Sequence, residues 1–68
     1  MAVVKVIEVL SNSSESWEDA AQNAVTLASK SVRNIRSINI QNMSATVGED
    51  GKISEYRINA KLSFLLDD

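Results

Sequence analysis

Apolar and polar residues alternate with the period of a strand from Tyr56 to Leu66. Tyr56, Ile58, Ala60, Leu62, Phe64 and Leu66 fall on one side, and Arg57, Asn59, Lys61 and Ser63 on the other. Such a strand needs a cover for its apolar face, and the chain offers one. From Trp17 the apolar positions Trp17, Ala20, Ala21, Ala24, Leu27 and Ala28 recur at helical spacing, while Glu18, Asp19, Gln22, Asn23, Lys30 and Arg33 occupy other angles. The stripe is mostly alanine, which lets a helix backbone approach a sheet closely and leaves Trp17 and Leu27 to supply bulk.

The remaining pattern supplies two more strands. Val3 to Leu10 is short and rich in β-branched residues, interrupted only by Lys5 and Glu8. Ser11-Asn12-Ser13-Ser14 then breaks it with side chains that compete for backbone hydrogen bonds, and Ser13 is the expected helix N-cap. Glu15, Glu18 and Asp19 suit the positive end of the helix dipole. A further strand starts near Ile35, with Ile38 and Ile40 in one phase and Met43, Ala45 and Val47 in the other. That slip near Gln41 and Asn42 requires a β-bulge or a sharp bend if one face is to stay buried. Gly48-Glu49-Asp50-Gly51 is a hairpin turn, so the last strand pairs antiparallel with the one before it. The predicted fold class is α+β in the order β-α-β-β. A three-stranded, strongly curved antiparallel sheet wraps around one helix, as a single domain over residues 1–68 with no repeat or linker.

Length makes that domain marginal. A chain of 7.4 kDa buries roughly 6,500 Å² on folding, about 60% of it apolar, for roughly 100 kcal/mol of hydrophobic gain. Ordering the chain costs about 1.5 kcal/mol per residue, a sum of the same size. Small domains escape this balance with disulfides, metals or association, and the chain has no Cys and no His. Self-association is the remaining route. The same absence removes thiol nucleophiles, histidine bases and Ser-His-Asp catalysis, so no enzyme is expected. A net charge of -2, with scattered Lys and Arg, gives no footprint for nucleic acid. Charges inside the opening apolar run exclude a signal peptide or membrane span, leaving a cytoplasmic protein as the expectation. Carboxylates at Glu15, Glu18 and Asp19, at Glu49 and Asp50, and at Asp67 and Asp68 could meet around symmetry axes and take Ca²⁺ or Mg²⁺, against the simpler role of solvated acids at a helix end and a turn.

This order of elements, with Val3-Val4-Lys5-Val6-Ile7-Glu8-Val9, Ser13-Ser14-Glu15-Ser16-Trp17-Glu18-Asp19-Ala20-Ala21, Ala24, Ala28, Glu55-Tyr56-Arg57-Ile58 and Leu62-Ser63-Phe64, resembles the dodecins over nearly the whole chain. The resemblance implies a hollow shell of twelve identical copies that binds and stores flavin (FMN, riboflavin or FAD). In flavin-binding dodecins an aromatic residue, usually Trp, early in the second strand stacks on the isoalloxazine ring, and a Gln of the third strand bonds its polar edge. The aligned positions here are Ser37 and Arg57, and arginines that could meet flavin phosphates align with Ser44 and Leu65.

These positions depart from the flavin pattern in a physical sense. Stacking on an aromatic side chain is worth about 1–3 kcal/mol by analogy with nucleic-acid bases, and Ser37 has no π face. Gln donates and accepts, whereas Arg57 only donates and carries charge. Ion pairs of Arg36 and Arg57 with Glu55 or with another subunit's carboxylates are the simpler explanation of those two cations. Trp17, on the helix stripe, is read as a core or subunit contact and not as a stacking platform. A structural or ion-binding shell without flavin is the alternative that follows.

Overall fold

The structure is a computed structural model that describes residues 3–66. Its elements are β1 (Val4–Ser13), α1 (Trp17–Ala28), β2 (Ile35–Val47) and β3 (Ile53–Leu65). They form one antiparallel sheet in the order β1-β3-β2, so the alternating strand recognised in the sequence is the central one. The β2–β3 hairpin closes where expected: Gly48 donates to the Lys52 carbonyl at 2.8 Å and Gly51 to the Gly48 carbonyl at 3.0 Å. Gly51 has φ 81, a conformation that costs a residue with a Cβ, which is why glycine stands there. The register slips between Ile40 and Asn42, where the change of phase predicted a bulge, and again between Ile35 and Ser37 and between Thr46 and Val47.

Three boundaries differ from expectation. β1 runs past Leu10 to Ser13, because its backbone stays paired through Ser13↔Tyr56 and Ser11 Oγ donates to the Ala20 carbonyl at 2.7 Å. The helix cap is therefore Ser16 and not Ser13: Ser16 Oγ accepts from the Asp19 amide at 2.9 Å. Ser13 instead ties the turn together, accepting from the Glu15 amide and donating to Asp19 Oδ2 at 2.6 Å. At the other end β3 begins at Ile53, and Leu66 lies beyond it and is exposed.

The core sits between α1 and the even-numbered face of β3. Ala20, Ala60 and Leu62 are 0% exposed and Ile58 2%, with Val9, Trp17, Ala21 and Ile38 packed around Ala20, Ile58 and Ala60. Contact between Ala20 and Ala60 brings the helix close to the sheet, as the alanine stripe predicts. Leu27 does not join this core. It is 64% exposed because it faces, with Asn23 and Thr26, a groove along β1, and β1 is an edge strand with no fourth strand beyond it among the described residues.

The proportions are unusual for 68 residues. The chain measures 52 × 20 × 13 Å with a radius of gyration of 14.0 Å, against about 11 Å for a compact domain of this length. It exposes 5019 Å², where a compact monomer of its mass exposes roughly 4,200 Å². The cause is a mismatch of lengths. A helix of 12 residues spans roughly 18 Å, and strands of 13 residues roughly 43 Å. Beyond the helix the same apolar face carries Val47 and Ile53 at 66% and 48% exposure.

Candidate functional site

The helix-free face of the sheet is built of rungs that the register fixes. Arg57 lies in the centre strand with Asn12 opposite on β1 and Ser44 opposite on β2. The next rung toward the chain end is Leu10, Asn59 and Asn42, then Glu8, Lys61 and Asn39, then Val6, Ser63 and Ser37, and finally Val4 and Leu65. Alternation along β3 puts this face opposite the core, so the polar odd positions in the sequence become one continuous polar surface.

The four aligned candidates separate on this surface. Arg57 and Ser44 are cross-strand neighbours lining one cavity of about 240 Å³, together with Asn12, Asn42 and Asn59. Ser37 pairs with Ser63, six positions further along β3 and hence roughly 20 Å from Arg57 at about 3.3 Å per residue. Its hydroxyl is hydrogen-bonded to that of Ser63. Leu65 is further still, opposite Val4 and beside Val32 and Phe64. One chain thus brings Arg57 and Ser44 together and keeps Ser37 and Leu65 away from them; a site using all four takes residues from more than one copy.

The rings are all elsewhere. Trp17 meets Tyr56 edge to face with centroids 4.8 Å apart, and its Nε1 donates to the Ser44 carbonyl at 2.9 Å, tying the helix to an edge strand. Phe64, the third aromatic residue of the chain, pairs with Lys5 and Ile35 on the same helix-side face. A flavin stacked at Ser37 would meet hydroxyls and no ring from this chain, so these residues do not fit that mode of binding.

Asn59 belongs to the polar odd-numbered face that the sequence places on this strand. Its Oδ1 is buried without a hydrogen-bond partner, a state that costs about 1–3 kcal/mol when nothing donates to it. In the sequence it reads as one more solvated residue of a polar face. Only the register, which puts Leu10 and Asn42 on either side, reveals the buried oxygen. Arg57 forms no ion pair with a described carboxylate of its own chain, Glu55 included; Glu55 stands opposite Thr46.

The acidic groups have local work. Asp19 Oδ2 accepts from Ser13 and from Asn23 at 3.4 Å, and Asp50 Oδ1 accepts from the Lys52 amide at 3.0 Å. No three metal-ligating side chains cluster among the described residues, and Asp67 and Asp68 lie outside them. A second, apolar groove of about 270 Å³ runs between α1 and β2, walled by Trp17, Ala21, Val25, Ile38, Ile40 and Met43.

Comparison with known proteins matches these features to one family. A family model described as Dodecin fits residues 3–67. The chain is 42% identical over 64 residues to calcium dodecin of Mycobacterium tuberculosis, covering 94% of this chain and 89% of that one. It is 30% identical over 66 residues to a dodecin of Thermus thermophilus, covering 97% and 94%. Among solved structures, an arginine-to-alanine mutant of the T. thermophilus dodecin superposes with a TM-score of 0.93 at 29% identity over 100% of both chains. The calcium dodecin of M. tuberculosis, described as a calcium-chelating immunodominant antigen with a novel calcium-binding site, superposes at 0.82 with 40% identity over 96% and 91%.

Proposed function

The chain belongs to the dodecin family, and on that premise we propose that it is one subunit of a closed shell of twelve copies. The shell is cytoplasmic, catalyses no reaction and holds a small ligand on its polar surfaces without stacking a flavin at Ser37. The observation that carries this reading is the uncovered apolar surface: Val47 and Ile53, beyond the helix, are 66% and 48% exposed, and among the described residues β1 and β2 are edge strands with no further strand beside them. Free edges and apolar flanks of this size are what neighbouring copies cover in an assembly. No described helix is long and apolar enough to cross a membrane.

Flavin is tested directly by fluorescence. With protein in excess, the emission of FMN, riboflavin and FAD is expected to stay unchanged, because no ring of this chain can stack on the isoalloxazine at Ser37. Saturable quenching would overturn that part of the reading. Ser37→Trp combined with Arg57→Gln restores both groups that the family uses, and quenching by that variant is expected if the shell retains the geometry of the pocket.

The likeness to a calcium dodecin favours a second reading, a shell that takes Ca²⁺ or Mg²⁺. Since one chain's described residues form no cluster of three ligands, carboxylates such as Glu15 and Glu18 would have to meet those of other copies. Assembly mass and melting temperature that stay the same with excess chelator and with added Ca²⁺ would exclude it.

A further inference from the structure

We propose that Asp50 and Gly51, at the tip of the β2–β3 hairpin, form a site of covalent self-modification at which the Asp50–Gly51 linkage isomerises to isoaspartate. The step needs neither a ligand nor a second copy, since the hairpin of one chain carries it. Only its effect on association rests on the shell reading above.

The reaction requires a side-chain carbonyl carbon that can swing onto the next backbone nitrogen, and secondary structure denies that motion to most of the chain. Asn12, Asn39, Asn42 and Asn59 are held in strand ladders, opposite Arg57, Lys61 and, for the last two, each other. Asp19 and Asn23 lie inside α1. Asn34 is outside these elements, but the residue after it is Ile35, whose branched side chain crowds the amide that would have to attack. Asp50 alone among the described Asp and Asn residues precedes a glycine. It stands between the strands and is exposed.

Local geometry favours closure. Asp50 Oδ1 accepts from the Lys52 amide at 3.0 Å, an Asx turn that folds the carboxyl along the chain toward the amides that follow it. A Cβ placed on Gly51 would meet nothing within 4 Å, so the space beside its nitrogen is open. The Gly51 amide is held by one turn bond, to the Gly48 carbonyl at 3.0 Å, and that bond has to open first. From the carboxylic acid form, Gly51 N then bonds to Asp50 Cγ, a Cγ–O bond breaks, and the hydroxyl leaves with the amide proton as water. Water next adds to the Asp50 main-chain carbonyl of the five-membered imide and breaks its bond to Gly51 N. The chain now continues through Cβ and Cγ, and the former main-chain carbonyl is the free carboxylate. Composition and charge are those of the starting chain, and no oxidant or further reagent is consumed.

The product has one extra backbone carbon in a turn whose ends are pinned. Gly48 donates to the Lys52 carbonyl at 2.8 Å, and Val47 pairs with Ile53 immediately beyond. The carbonyl that accepted from Lys52 has also become part of the main chain. Isomerisation therefore loosens the tip beside Val47 and Ile53, the flank on which the proposed shell would seat its neighbours.

Ageing the purified protein in warm buffer below its melting temperature, followed by peptide mapping with electron-transfer fragmentation, tests the proposal. The isomer keeps the mass of the original and is identified by its own backbone fragments. Isoaspartate is expected at Asp50 before any isomerised or deamidated position elsewhere in residues 3–66. Asp50→Glu keeps the carboxylate but would have to close a six-membered ring, and it should lose the signal. Aged protein should melt at a lower temperature than Asp50→Glu aged alongside it, each compared with its own fresh sample. Asp50 that stays unmodified while a synthetic peptide of residues 47–54 isomerises in the same buffer overturns the site, as does an equal signal from Asp50→Glu. Equal melting shifts in the two proteins would overturn the loosening of the tip. Isoaspartate at Asp50 in a protein that scatters as a monomer would reject the shell and retain the site.

Discussion

The apolar face of the sheet has a centre and a flank made of the same kinds of residue with opposite fates. In the centre, Ile58, Ala60 and Leu62 lie under α1 and are 0–2% exposed. On the flank, Val47 and Ile53 share that face and are about half exposed or more. Side-chain chemistry does not separate them; the reach of a helix of 12 residues does. The lone chain covers only part of this apolar face, and the flank is where the proposed shell would seat other copies.

Substitutions in the two regions should differ accordingly when denaturation is compared at one protomer concentration, since association contributes to apparent stability. Leu62→Ala, in the centre, is expected to cost about 2–5 kcal/mol through lost burial and a cavity. A loss under 1 kcal/mol by urea denaturation would mean that the centre is not close-packed. Ala60→Leu fails in the opposite direction: Ala20 and Ala60 are both fully buried in one cluster, and the added volume should cost about 1–3 kcal/mol. At the margin of the covered region, Ser16→Ala removes the helix cap and should cost about 1 kcal/mol. Ser13→Ala spares that cap and loses the turn contacts instead, so melting curves of the two variants separate their roles. Val47→Lys, on the flank, should alter the stability of a dissociated chain by less than about 0.5 kcal/mol, yet lower the mass of the assembly. An unchanged mass would erase the distinction between centre and flank.

Much of this was legible in the sequence, for identifiable reasons. Period-two alternation at residues 56 to 66 assigned the two faces of β3, and the phase change after Ile40 located a bulge that the register places between Ile40 and Asn42. Gly48 and Gly51 announced the hairpin. Ser13 was mistaken for the cap because Ser11, Asn12, Ser13, Ser14 and Ser16 all have capping side chains, and only continued pairing to Tyr56 moves the helix start to Trp17. Leu27 has the right helical phase for the core but sits over an edge strand, and strand order cannot be read from phase. The candidate site was less legible. Alignment grouped Ser37, Ser44, Arg57 and Leu65 by analogy, whereas strand rise spreads them along the sheet and leaves Arg57 and Ser44 as neighbours. Asn59 gave no signal, since burial of one oxygen depends on three strands meeting.

The central claim is that the uncovered flank and free edges are closed by copies of the same chain. Sedimentation equilibrium of the purified protein measures this without reference to shape. Twelve copies of a 7.4 kDa chain give a single species of about 89 kDa, which is the predicted result. A species of 7.4 kDa at micromolar protein, with the flank left in water, would contradict it.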